Sequence, residues 1–155
     1  NLDVIDIPEL AQRNIAAILP EDVRGVVTLS FSAQRGLVTI TRQGEIFLSR
    51  RLELGTVSLL EAEDRAPLFD QIVLEVQRSL DYFDSHFRQA QVDSLVLTPP
   101  DVPGLMDYLN HNLNLKAKTI DLASVLQFDV DAAPITQSAG LIALGAALRQ
   151  EEKAL

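Results

Sequence analysis

Three strand-like runs crowded between residues 25 and 54 constrain the fold of this chain more than any other feature. Residues 25–31 (GVVTLSF) are apolar and β-branched, and residues 36–41 (GLVTIT) alternate cleanly. Residues 45–54 (EIFLSRRLEL) follow the turn Arg42-Gln43-Gly44-Glu45. Parallel neighbours need a long crossover, whereas loops this short, holding Gly36 and Gly44, join antiparallel ones. The prediction is an antiparallel meander.

The flanking segments alternate between helix and strand. Residues 1–7 alternate as a short strand, and Pro8-Glu9 opens a helix at its favoured first turn. Leu10, Ala11, Asn14, Ile15, Ile18 and Leu19 then recur at helical spacing up to Pro20. After Pro67, Leu68, Phe69, Ile72, Val73, Val76, Leu80, Phe83 and Phe87 step by three and four along a long helix, with Asp70, Glu75, Arg78 and Asp81 on its other face. Residues 94–97 (SLVL) are continuously apolar, which predicts a strand covered on both faces, bounded by Pro99-Pro100. Residues 104–113 read as a helix, residues 118–122 as a strand, and residues 137–149, rich in Ala and Gly, as a closely packing helix. Met106 and the Phe69, Phe83, Phe87 stripe read as core. The order, β-α followed by β-β-β-α-β-α-β-α, is the ribonuclease-H-like order, which actin-type ATPases contain twice. It implies an α/β domain over residues 1–155, its mixed sheet covered by helices on both faces.

Composition removes several classes of chemistry. The chain has 155 residues, 47% of them hydrophobic and 23% charged, which is globular and long enough for a real core. Thirteen Lys and Arg against 22 Asp and Glu leave −9, which disfavours phosphate backbones and anionic lipid. No cysteine is present, so disulfides, thiolate metal sites and Cys nucleophiles are excluded. His86 and His111 are the only histidines, too few for a multi-histidine metal site. No signal peptide or spanning helix is legible. The chain begins at Asn1, so the expectation is a portion of a longer protein.

Several segments resemble the PilM family, the actin-like cytoplasmic proteins of type IV pilus assembly. They are similar in particular to its MshI branch, which serves the mannose-sensitive haemagglutinin (MSHA) pilus. Residues 5–14 (IDIPELAQRN) are similar to the family's D-x-x-x-x-A-x-x-N segment, and GLVTITRQGEIFLSRRLELG to its strand pair around R-x-G-x-x-x-x-S-R. EVQRSLDYFDSHF, residues 75–87, resembles E-I-Q-R-S-L-D-Y-F. Residues 104–113 and the closing AGLIALGAALR resemble two further helices of the family. The chain is too short for both halves of an actin-like protein, and the segments it matches are those of the C-terminal half.

The resemblance implies a fold that holds ATP between two halves. One phosphate loop of such proteins follows the first meander strand as Asp-x-Gly, a carboxylate near the metal and a glycine that lets backbone N–H groups reach phosphate. The matching stretch, residues 29–34 (LSFSAQ), has neither, and Phe31 is expected to crowd the approach. The adenosine loop is Gly-Gly, and the matching positions are Thr98-Pro99-Pro100, where proline removes an N–H and adds bulk. Ser30, Ser32 and Thr98 are left as candidate nucleotide contacts of two degenerate loops. The implied function is a non-catalytic scaffold, with no cofactor in this portion and ATP with Mg only in the full-length protein. It is expected to be cytoplasmic and peripheral to the bacterial inner membrane. Its expected partners are PilN-like inner-membrane assembly proteins, bound by their short tails mostly through the other half, with self-association as a further contact. An actin-like ATP-binding protein of pilus or type II secretion machinery is the alternative.

Other chemistries find less support. A two-metal nuclease needs clustered carboxylates on the sheet, and only Glu75 and Asp101 stand near the right positions, with Ser30 where a first carboxylate belongs. Glu75 reads better as a solvated helix residue. Gly-x-Ser-x-Gly and the Walker pattern are both absent. Asp129, Val130 and Asp131 alternate like a metal loop, but Ala132 and Pro134 break the calcium pattern. Arg42, Arg50 and Arg51 put positive charge on the hairpin, with Arg50 at the family's hairpin arginine and a candidate for facing a partner.

Overall fold

The computed structural model describes residues 8–88 and 90–121. The strand expected over residues 1–7, the helix expected over 137–149 and the Asp129–Asp131 stretch lie outside the described residues.

The meander forms as the short loops require. β1 (Val26–Phe31), β2 (Gly36–Arg42) and β3 (Glu45–Leu52) pair antiparallel, with Val27 opposite Ile40, Leu29 opposite Val38 and Thr39 opposite Ser49. The β2–β3 turn passes through left-handed backbone at Gln43 (φ 52°) and Gly44 (φ 78°), which favours a glycine. Asp22 fixes this turn. Its carbonyl accepts the Gln43 N–H at 2.8 Å, and its two carboxylate oxygens accept the Thr41 hydroxyl and the Gly44 N–H, each at 2.7 Å. The register shifts between Ile40 and Thr41, leaving Phe47 as the extra residue on β3. Phe47 and Leu48 consequently both pack onto one core.

β4 (Ser94–Leu97) and β5 (Lys116–Thr119) add parallel to β1, giving a mixed sheet in the order β3-β2-β1-β4-β5. Alternate residues of β1 sort to opposite faces. Val27, Leu29 and Phe31 join Leu95 and Leu97 beneath α3 (Ala66–His86) and α4 (Leu105–Asn112), where Ile72, Val76, Phe83, Leu105 and Leu109 complete the larger core. Val26 and Val96 face the other way, onto Ile15, Ala16 and Leu19 of α1 (Pro8–Ala16) and the segment after it, with Ile120 beside them. Each such fully buried aliphatic or Phe side chain contributes roughly 1.5–3 kcal/mol. The stripe on α3 buries as its spacing predicts, and Phe47 meets Phe83 and Phe87 edge-on at centroid distances of 5.7 and 4.9 Å.

The structure departs from the expected elements in several places, with α1 ending at Ala16 rather than running up to Pro20 and a 3-10 turn following at Pro20–Val23. A short helix, α2 (Thr56–Glu61), stands between β3 and α3 where none was expected. The last described strand spans Lys116–Thr119 rather than residues 118–122, because parallel pairing sets Lys116 beside Ser94 and Thr119 beside Leu97.

Candidate functional site

The residues singled out for nucleotide contact collect at one end of the sheet, where β1 and β4 finish side by side. Thr98 follows β4 and donates its N–H to the Leu29 carbonyl at 3.0 Å; its hydroxyl points at the same oxygen, and the residue is fully buried. Ser30 is also buried, on the α1 face, and its hydroxyl donates to Oε1 of Gln12. Ser32 lies exposed in the β1–β2 hairpin loop.

Phe31 does not crowd the end of the sheet. It turns the other way, into the core beneath α3, with its ring against the Cα of Gly36, where an added Cβ would come within 2.9 Å of Cε1. The hairpin itself is what closes this corner. Ser32 N–H donates to the Arg35 carbonyl at 2.8 Å, and the Ser32 hydroxyl both donates to that carbonyl and accepts the Arg35 N–H, each at 3.2 Å. The first turn of α2 then docks on the loop. Thr56 and Val57 donate their N–H groups to the carbonyls of Ser32 and Ala33 at 2.9 and 3.1 Å. Gly55 makes the approach possible: a Cβ there would fall 2.4 Å from the Ala33 carbonyl oxygen. Helix N-terminal amides of the kind that elsewhere take phosphate are here paired with the protein's own carbonyls.

Beneath α1 lies a buried polar cluster that sequence reasoning did not foresee. Gln12 is 2% exposed. Its Nε2 donates to the Thr28 carbonyl at 2.8 Å, to the Thr39 hydroxyl at 2.9 Å and more weakly to the Leu37 carbonyl at 3.4 Å, while Oε1 accepts from Ser30. Thr28, Ser30, Thr39 and Thr41 form a buried polar stripe on β1 and β2. A polar stripe facing a helix needs a multivalent partner, and the alternation of Thr28 with Ser30 was the available signal.

The nuclease arrangement is not assembled. Glu75 keeps some solvent but is ion-paired: it holds Arg50 at 2.9 Å and Arg78 at 3.1 Å. The Arg50 hydrogen bond lowers its carboxyl pKa against a counteracting burial cost, and the Arg50 and Arg78 charges lower it further. Asp101 accepts from the Thr119 hydroxyl at 3.2 Å. The one is tied to β3 and the other to β5, the two edge strands of the described sheet. Among the described residues no three potential metal ligands cluster.

Arg50 and Arg51 leave β3 on opposite faces, Arg50 to Glu75 of α3 and Arg51 to Glu9 of α1 at 2.7 Å. The Arg51 hydrogen bond holds the Glu9 carboxyl below its ordinary pKa. Arg50 therefore ties β3 to α3 rather than standing free for a partner. His86 and His111 sit exposed in the last turns of α3 and α4, where a cation suits the helix dipole, and His86 stacks on Tyr82 at 4.0 Å between centroids.

Comparison with known protein families and with curated proteins finds no match. Comparison with solved structures does. A PilM–PilN type IV pilus biogenesis complex matches with a TM-score of 0.72 and 18% identity over 94% of this chain. The chain has the actin-like fold. An Alp12 filament is similar over 88% of the chain with a TM-score of 0.49 and 10% identity, and an exopolyphosphatase from Cytophaga hutchinsonii over 59% with 0.41 and 14%. The chain spans 52% of the pilus protein, about half its length. No helix among the described residues is long and apolar enough to cross a membrane.

Proposed function

We propose that this chain is part of an actin-like docking protein of type IV pilus assembly, of the PilM type and its MSHA branch. It holds a PilN-like inner-membrane protein at the cytoplasmic face and catalyses no reaction. The observation that carries this reading is the likeness to PilM in a PilM–PilN complex along 94% of the chain.

The residues present do not fit a triphosphate cradle, which supports docking over ATP turnover. The hairpin from Ser32 to Arg35 closes on itself and on α2, and contributes neither a carboxylate nor a glycine. The Ser30 hydroxyl is committed to Gln12, and Thr98 is fully buried. Pro99 and Pro100 replace the bare backbone over which an adenine would slide.

The test is binding of the full-length protein to the N-terminal tail of the PilN-like protein from the same organism, measured by fluorescence anisotropy. Saturable micromolar binding, lost when the tail sequence is scrambled, is expected. Absence of binding at millimolar tail overturns the pilus reading.

A further inference from the structure

On the same face as α1, but at the opposite end of β1 from the hairpin loop, a groove of about 480 Å³ opens between α1, the segment after it and the β2–β3 turn. That volume lies in the range of sites that enclose a ligand or a short peptide segment. Its floor is rigid. Asp22 clamps Gln43 and Gly44 through the hydrogen bonds described above, and at 3% exposure both carboxylate oxygens are already occupied by the turn. Gly44 lies against Ala17, so the turn is seated on the end of α1.

Two observations define what would fill it. Ile18 and Val23, 37% and 65% exposed, line the groove and are among the few large apolar side chains left in water. Arg13 lines it too. Its hydrogen bonds, from Nε at 3.2 Å and Nη2 at 2.9 Å, both go to the neutral amide oxygen of Asn14. Acidic side chains outnumber basic ones 22 to 13 in this chain, and Arg24, Arg35, Arg50, Arg51, Arg78 and Lys118 all have carboxylates. Arg13, like Arg42, Arg65, Arg88 and Lys116, has none among the described residues, and of these it is the one that lines the groove. A guanidinium with donors to spare, flanked by branched aliphatics on a fixed floor, suits a carboxylate beside an aliphatic side chain. The chain's net negative charge does not forbid such a ligand, because at physiological salt charges beyond about 8 Å are screened.

We propose that this groove docks an extended peptide segment of a protein partner in which aspartate or glutamate alternates with leucine, isoleucine or valine. Arg13 takes the carboxylate, and Ile18 and Val23 take the neighbouring aliphatic side chain. The assignment stands on the groove alone and is independent of the pilus reading.

The probe is the acetylated, amidated peptide Leu-Asp-Ile-Asp-Leu, with Leu-Asn-Ile-Asn-Leu as its neutral counterpart, titrated into the isotope-labelled full chain and followed by amide chemical shifts. The expected result is sub-millimolar binding with shifts confined to α1, the segment Pro20–Val23 and Gln43-Gly44. Arg13→Gln is expected to weaken it about fivefold or more, with partial recovery in Arg13→Lys. Val23→Asp, at an exposed position, is expected to weaken it as well while leaving the melting temperature unchanged. Equal binding of the neutral peptide overturns the proposal, as do shifts elsewhere or none at millimolar peptide. Groove amides that move with protein concentration alone also overturn it, by showing a second copy in the groove.

Discussion

At the residue scale, Gln12 decides whether α1 can sit on a polar stripe of the sheet. One amide serves the Thr28 and Leu37 carbonyls and the Thr39 and Ser30 hydroxyls. Removing it strands several buried groups at once, so Gln12→Leu is predicted to destabilise the chain by about 2–4 kcal/mol, read as a shift in urea midpoint. Of the residues at helical spacing before Pro20, Ala11, Ile15 and Leu19 are buried hydrophobics. Gln12 was hidden because periodicity weighs only apolar positions, and Ile18 was misread because the helix ends at Ala16 before reaching it. Glu75 was legible as a helix residue but not as an ion-pair centre, since its partner Arg50 lies 25 positions away. Its carboxyl titrates below the ordinary 4.5, so its charge stabilises the fold at neutral pH and that contribution fades as pH falls through the lowered value. Glu75→Gln is expected to cost about 1 kcal/mol near pH 7, because both partners keep some solvent. Thermal melts of the two proteins should converge as pH falls through and below the lowered pKa of Glu75.

At the scale of elements, the hairpin loop and α2 act as one unit. Val57 N–H to Ala33 carbonyl and Thr56 N–H to Ser32 carbonyl join them, and Gly55 supplies the clearance. Gly55→Ala sets a methyl carbon against a backbone carbonyl that cannot retreat without breaking these bonds. It is predicted to destabilise the protein by about 1–3 kcal/mol and to raise amide exchange at Thr56 and Val57. Unchanged exchange there would show the two elements to be independent. The long elements were legible because each repeats its pattern: α3 over twenty-one residues, β1 and β2 through β-branched runs. α2 has six residues, too few for a period to show. The strand expected over residues 118–122 starts two residues too late. The pairing with β4 instead draws in Lys116 and Lys118, exposed side chains whose residue types carry no strand signal.

At the scale of the whole molecule, element order was enough to fix the topology. Two tight antiparallel turns followed by helix crossovers leave few ways to complete a sheet, and the right one places β4 and β5 parallel to β1. The likeness to the pilus protein follows that order along nearly the whole chain at only 18% identity. The site was less legible, because which hydroxyls stay free depends on long-range pairing that local pattern cannot report. The reading proposed above is that the end of the sheet bearing Ser30, Ser32 and Thr98 commits its polar groups to internal hydrogen bonds rather than to phosphate. The most direct test is calorimetric titration of Mg-ATP into the full-length protein. No saturable heat at millimolar nucleotide is predicted. Stoichiometric binding at tens of micromolar or tighter would contradict the claim and restore the ATP-binding reading.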